Sequence, residues 1–224
     1  MRGHLADKTM HSRPALYLPP PDALKRGMQS LAMLDAILEE EWQFRYFSFD
    51  SAWSPDTQMG SMRNGEGDDL FAVFDPVGCF IRGFDHESAM SPWTSDPPKV
   101  WKGVVDQVPK QFSSSLTEPA FHMDDTTFCI WFSAGAQAWC QGDIAYPSAS
   151  DPDGSAWMLS YYMGGPQTYH AFAEQYYEVN VPVEAIARLY EHEPLSPALI
   201  RALGSRRRYD QVVVEAATIG YRTV

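Results

Sequence analysis

The stretch DLFAVFDPVGCFIRGF, Asp69 to Phe84, decides how the rest of the chain is read. Two apolar runs flank Asp75-Pro76-Val77-Gly78. Proline at the second position of a four-residue turn presets φ, and glycine suits the fourth. The runs are therefore predicted to pair as an antiparallel hairpin. Such pairing brings the two outer ends, Asp68 and Asp85, to one edge of the sheet.

Each outer end leads into a segment without periodicity. Ser51 to Asp68, SAWSPDTQMGSMRNGEGD, holds a proline, an asparagine and three glycines, and reads as a long loop. Loops of that length inside a compact domain tend to be functional or mobile. Residues 85–98, DHESAMSPWTSDPP, read as a second loop. A rigid hairpin holding both would gather Trp53, Arg63, His86, Glu87 and Trp93 into one neighbourhood. This is the binding site expected from the sequence, since loops on a rigid scaffold carry binding groups and aromatics anchor interfaces. The competing reading has both loops only covering the sheet, with their tryptophans buried as lids.

Farther out, Asp22 suits the N-cap of a helix running to about Glu40, with Leu24, Met28, Leu31 and Leu38 as its apolar stripe. Glu39, Glu40 and Glu41 oppose the helix dipole there. WQFRYFSFD, from Trp42, is predicted as a strand with Trp42, Phe44 and Tyr46 on one face. Residues 99–116 read as short helical pieces broken at Pro109, and TTFCIWFSAG and AWCQG as strands about a turn near Gly135. AWMLSYY, from Ala156, is predicted as a further strand. Tyr169, Phe172, Ala173, Tyr176 and Tyr177 follow helical spacing. A second helix is expected over about 182–192. Ser196 caps a third, with Pro197 at its first position and Gly204 past its end. VVVEAATIGY, from Val212, is predicted as a final strand. Residues 1–21 read as a flexible leader, and 22–224 as one domain. Strands joined by turns between terminal helices argue for an α+β fold, with a mostly antiparallel sheet flanked by N-terminal and C-terminal helices.

Composition narrows the function. With 224 residues, 45% hydrophobic and seven tryptophans, the chain can build one sizeable core. Its 17 basic and 29 acidic residues leave a net charge of −12. That repels phosphate backbones and disfavours nucleic acid, and it suits a basic protein partner. Cys79, Cys129 and Cys140 form no C-x-x-C pair and read as unpaired thiols in a reducing compartment. The first twenty residues lack a signal-peptide core, and no apolar run is long enough to span a membrane. A cytoplasmic protein without membrane contact is expected.

The chemical motifs are sparse. His86 stands between Asp85 and Glu87 just after an apolar run. If the strand continued through it, His86 would face away from both acids, so it is not expected to bind metal. A metal-dependent enzyme or hydrolase would have to assemble His86, Glu87, His122 and Asp124, and no ligand spacing supports that set. DPDG at 151–154 is a turn without the distal glutamate of a calcium loop. There is no G-x-S-x-G, and the acids of RNGEGDD would repel a phosphate. Arg206, Arg207 and Arg208 read as solvated or salt-bridged surface. No metal and no cofactor are expected. The leading reading is a non-enzymatic protein-interaction module, the competing ones the enzyme just named and a small-ligand binder with an aromatic-lined pocket.

Across MGSMRNGEGDDLFAVF…GFDHESAMSPW, EPAF…TTFCIW and DPDGS, the chain resembles a family of bacterial proteins of similar length to which no chemistry is assigned. The resemblance covers roughly residues 22–204 and implies a bacterial cytoplasmic protein, with no residue role attached. By analogy, small acidic proteins of this kind include toxin-neutralising immunity proteins.

Overall fold

A computed structural model describes residues 17–224. It is an α+β fold in which one antiparallel sheet carries helices on one face and irregular chain on the other. The expected leader falls mostly on residues outside those described. Its last part lies on the core: Leu18 is buried, and the Pro19 carbonyl accepts the Trp139 indole N–H at 3.0 Å.

The hairpin of Asp69 to Phe84 is present as expected. Strand β3 (Asp69–Asp75) pairs antiparallel with β4 (Gly78–Phe84), with Asp69 opposite Phe84 and Asp75 opposite Gly78. The Asp75 carboxylate closes the turn by accepting from the Val77 and Gly78 N–H groups. Beyond it the sheet departs from expectation. Residues 51–63 are strand rather than loop: β1 (Phe47–Ser54) and β2 (Thr57–Arg63) form a second hairpin about Pro55 and Asp56. Strand β5 (Phe128–Ser133) pairs with β4, and the strands lie in the order β1-β2-β3-β4-β5. The expected second strand after Gly135 shrinks to one bridge, Trp131 to Cys140. Trp42 to Phe44 are not strand; they form an exposed 3₁₀ turn.

Alternation along the strands sorts the two faces. Phe49, Met62, Leu70, Ala72, Phe74, Cys79, Ile81, Phe128 and Ile130 face the main core with the helices. These are α1 (Pro21–Leu38), α3 (Ser155–Met163), α4 (Gly165–Tyr176), α5 (Val183–Tyr190), α6 (Pro197–Ala202) and α7 (Tyr209–Ile219). Met59, Phe71, Val73, Phe80, Cys129 and Trp131 face the irregular layer, built by residues 90–123 and 144–146 with one short helix, α2 (Ser113–Leu116). Arg82 secures that layer from inside. Its fully buried guanidinium pairs with Asp69 and donates to the carbonyls of His122 and Asp125 at 3.1 and 3.0 Å. Burial lowers its pKa to about 10.

The helix starting at residue 21 ends at Leu38, before the acids, and Ser196 caps α6 through the Leu199 N–H. Two segments expected as strands are helices. AWMLSYY lies in α3, which is apolar nearly all round, so periodicity could not separate a buried helix from a buried strand. VVVEAATI lies in α7, where Val212, Ala216 and Ile219 make a buried stripe that outweighs the β-propensity of three valines. Of the tri-arginine, Arg207 lies 3.9 Å from Glu215 and Arg208 pairs with Asp210.

Candidate functional site

Asp68 and Asp85 leave the β3–β4 hairpin at the same end, as antiparallel pairing required, and a network forms between them. Asp68 is only 8% exposed. Its Oδ1 accepts the His86 backbone N–H at 2.8 Å and sits 2.7 Å from His86 Nδ1. Its Oδ2 accepts from Asn64 Nδ2 at 2.6 Å. Asn64 Oδ1 in turn accepts the N–H groups of Glu66 and Asp68, which ties the β2–β3 loop into a compact unit. A carboxylate partner places the proton on Nδ1 and leaves Nε2 facing Glu87, 4.0 Å away. The hydrogen bond to Asp68 raises the His86 pKa above its ordinary value.

Asp85 performs a similar task one position earlier. Its Oδ1 accepts the Glu87 N–H at 3.0 Å, and its Oδ2 accepts the Trp157 indole N–H at 2.9 Å. Gly154 holds a left-handed φ of 77° against this carboxylate, and a Cβ there would lie 2.4 Å from Asp85 Cβ. Glycine is therefore required where the residues before α3 meet the hairpin. Asp151 caps α3 through the N–H groups of Ala156 and Trp157. DPDG thus starts a helix rather than preceding a strand.

The strand does not continue through His86: β4 ends at Phe84 and the chain turns, with the Ser88 N–H bonded to the Asp85 carbonyl. The alternation expected to separate His86 from Asp85 therefore fails. Donor atoms of Asp68, Asp85 and His86 all lie within 4.8 Å of one another. Each of the four carboxylate oxygens already receives a hydrogen bond from an N–H group; Asp68 holds His86, while Asp85 holds Glu87 and Trp157. His122 and Asp124 contribute no donor to this group. The set His86, Glu87, His122 and Asp124 is not assembled; the His122 carbonyl is instead held by Arg82.

The other expected residues scatter. Arg63 reaches the same sheet end, opposite Asp69, with its guanidinium over the rings of Trp42 and Phe71 at 5.3 Å. Trp93 is 64% exposed, so it is no buried lid, and its indole donates to Asp125 at 3.0 Å. Trp53 lies at the opposite end of the sheet, near the Ser54–Thr57 turn, against the cluster of Met59, Val73 and Phe121. The five do not form one neighbourhood, because residues 51–54 extend β1 away from the loop that carries Asp68.

What the structure adds is a cleft of about 450 Å³ beside Asp68, lined by Tyr46, Asn64, Glu66, Asp68, Trp157, Tyr161, Phe172, Gln175 and Tyr176. Trp157 and Tyr161 stand four apart on α3, and Phe172 and Tyr176 four apart on α4, so each pair shares a helix face. Their rings form one cluster about Tyr46, with centroids 5.6 Å to Tyr161, 4.8 Å to Phe172 and 5.2 Å to Tyr176. Phe172 and Tyr176 stack at 5.2 Å. Behind the cluster, buried Asp35 of α1 accepts from the N–H groups of Tyr46 and Phe47 and from the Tyr169 hydroxyl, at 2.9, 2.7 and 2.7 Å. Burial pushes the Asp35 pKa up to about 6 against these hydrogen bonds. It joins α1, β1 and α4 at one point and holds the backbone of Tyr46, which lines the cleft.

A larger, open groove of about 1140 Å³ occupies the other end of the sheet, between the start of α1 and the two hairpin turns, with Lys25, Pro55, Phe74 and Pro76 among its lining. Among the described residues, no helix is long and apolar enough to cross a membrane, and all three cysteines are free, Cys140 exposed and the others buried. No family model matches the chain, and no curated protein or solved structure is similar to it.

Proposed function

We propose that the chain is a non-enzymatic binding module that receives a positively charged group of a basic protein partner in the cleft of Tyr46, Trp157, Tyr161, Phe172 and Tyr176. One observation carries this: five aromatic residues and two carboxylates line the same cleft, and no Lys, Arg or His is among them. Aromatic faces attract cations, more strongly when water is displaced. The net charge of −12 steers a basic partner toward such a site. A cytoplasmic bacterial setting, and an immunity-type pairing with a basic toxin, are consistent with that charge and with the free thiols.

An enzymatic reading has less support. Asp68 orients His86 as a general base would be oriented. Yet the cleft lining holds no serine, cysteine or lysine to act as nucleophile. A small-ligand reading draws on one specific observation, the volume of about 450 Å³, which falls within the usual range of small-molecule sites.

The test is affinity capture from the native host with the wild type, Tyr176→Ala, Trp157→Ala and, as a control at the other end of the sheet, Lys25→Ala. Basic proteins retained by the wild type and Lys25→Ala, and lost from both cleft variants at unchanged melting temperature, support the proposal. A captured set that ignores the cleft variants, or depends on Lys25, contradicts it.

A further inference from the structure

We infer that the cation this cleft is built to take is a quaternary ammonium group, an N-trimethylated amine, rather than a primary ammonium or a guanidinium. The inference rests on reading the cleft as a cation site, and it concerns which cation.

A primary ammonium carries three N–H donors and a guanidinium five. Moved out of water, each donor needs an acceptor or leaves a costly unsatisfied group. The side-chain oxygens of Asp68 and Asn64 already hold N–H donors. Asp68 Oδ1 receives the His86 N–H and faces Nδ1, and Asp68 Oδ2 receives Asn64 Nδ2. Asn64 Oδ1 receives two backbone N–H groups. The polar tips of the ring residues are engaged as well, the Tyr46 and Tyr161 hydroxyls with each other. The Trp157 indole donates to Asp85, and the Tyr176 hydroxyl reaches the Phe44 carbonyl at 3.5 Å. Glu66 and Gln175 remain, but both are exposed, and a hydrated rim carboxylate gives an ammonium little.

What the cleft offers instead is the part-exposed rings of Trp157, Tyr161 and Tyr176, packed against buried Tyr46 and Phe172, beside a negative charge whose oxygens already hold N–H donors. A quaternary ammonium asks for that combination. It has no N–H to satisfy, it is weakly hydrated, and its charge spreads over methyl groups that pack against ring faces. The stack of Phe172 on Tyr176, the edge contact of Trp157 with Tyr161 at 6.5 Å, and Tyr46 between them supply rings from three separate elements.

Isothermal titration of the full chain at pH 8 and constant ionic strength, with tetramethylammonium, methylammonium and guanidinium chlorides, tests the inference. Tetramethylammonium should bind roughly tenfold more tightly than either of the others, and Trp157→Ala and Tyr176→Ala should each weaken it by about tenfold. Tyr176→Phe keeps the ring face and should leave binding unchanged. Methylammonium or guanidinium binding as tightly as tetramethylammonium, with both alanine variants still sensitive, overturns the quaternary assignment and leaves the cleft a cation site. Loss of tetramethylammonium binding in Tyr176→Phe overturns it too. If no cation binds in a manner that the alanine variants weaken, the reading of the cleft itself fails. Two further probes identify the source of the group. Nα-acetyl-Nε-trimethyllysine amide binding more tightly than choline points to a methylated protein side chain, and the reverse order to a free small molecule.

Discussion

The two ends of the sheet carry two hollows, and their volume and chemistry run in opposite directions. At the turn end, a groove of about 1140 Å³ is open, mixed in charge and edged by Pro55 and Pro76. At the other end, a cleft of about 450 Å³ is walled by five aromatic residues, with Asp35 holding Tyr46 on one side and Asp85 holding Trp157 on the other. Size alone would select the first. The second is where the molecule places buried polar groups, which must be hydrogen-bonded to be tolerated, and where four separate chain segments converge. That concentrated polar organisation, with Asp68 paired to His86 and Glu66 at the rim, is why the smaller hollow is the one put forward as the site.

The largest expected effect comes from removing the support beneath the cleft. Asp35→Ala leaves two backbone N–H groups and one phenol without their acceptor in the core, and should cost at least ~3 kcal/mol of stability. The melting temperature should fall steeply and cation binding should go with it. Asp35 also has a pH signature. Its folded pKa, about 6, lies above the ordinary carboxylate value, so the folded state binds the proton more tightly. That contribution is full below about pH 4 and is lost as pH rises through about 6. Denaturation curves of the wild type and Asp35→Asn across that window should diverge, with the wild type losing relative stability as pH rises. Parallel curves would remove Asp35 from this account.

Next in size is the network that holds the irregular layer. Asp69→Asn leaves the buried Arg82 guanidinium without its anionic partner, itself partly exposed, and should cost roughly 2–3 kcal/mol. Because Arg82 anchors the 122–125 segment and not the cleft, cation affinity of the folded fraction should be unchanged. Loss of affinity there would mean that the sheet's two faces are coupled.

How much of this was legible in the sequence depended on where the signal lay. The 69–84 hairpin was readable because its turn is local, and with it the meeting of Asp68 and Asp85. The β1–β2 hairpin was not. Its turn uses Asp56 at a φ of 57°, and Gly60 reads as a breaker although it sits inside β2. A Cβ at Gly60 would come within 2.5 Å of Met28 Cε, so glycine there serves the approach of α1 to the sheet. That misreading carried Trp53 into the expected site. The cleft was half visible: Phe172 and Tyr176 belonged to a recognised helical stripe, while Trp157 and Tyr161 were hidden by the strand assignment of α3. Asp35, an acid inside an apolar helix, was the signal that could have pointed to the support of Tyr46.

A smaller effect concerns His86. Its pKa is raised by Asp68, so the protonated imidazolium, which offsets the Asp68 charge, persists above the ordinary range of about 6.5. Cation affinity should increase as pH rises through that raised value, and His86→Asn should flatten the dependence. A wild-type affinity that falls as pH rises would contradict this. Least of all should change at the turn end, where Lys25→Ala should shift affinity less than about twofold, as expected for a substitution far from the bound charge.

The most direct test of the cleft as the cation site uses the indole N–H resonances of the seven tryptophans in a ¹H–¹⁵N spectrum, titrated with tetramethylammonium and then with methylammonium. Trp157 lines the cleft and Trp53 lies at the opposite end of the sheet. The Trp157 resonance should move saturably with tetramethylammonium while Trp53 stays fixed. A Trp157 resonance unmoved by either cation, or a Trp53 resonance that moves in its place, would contradict it.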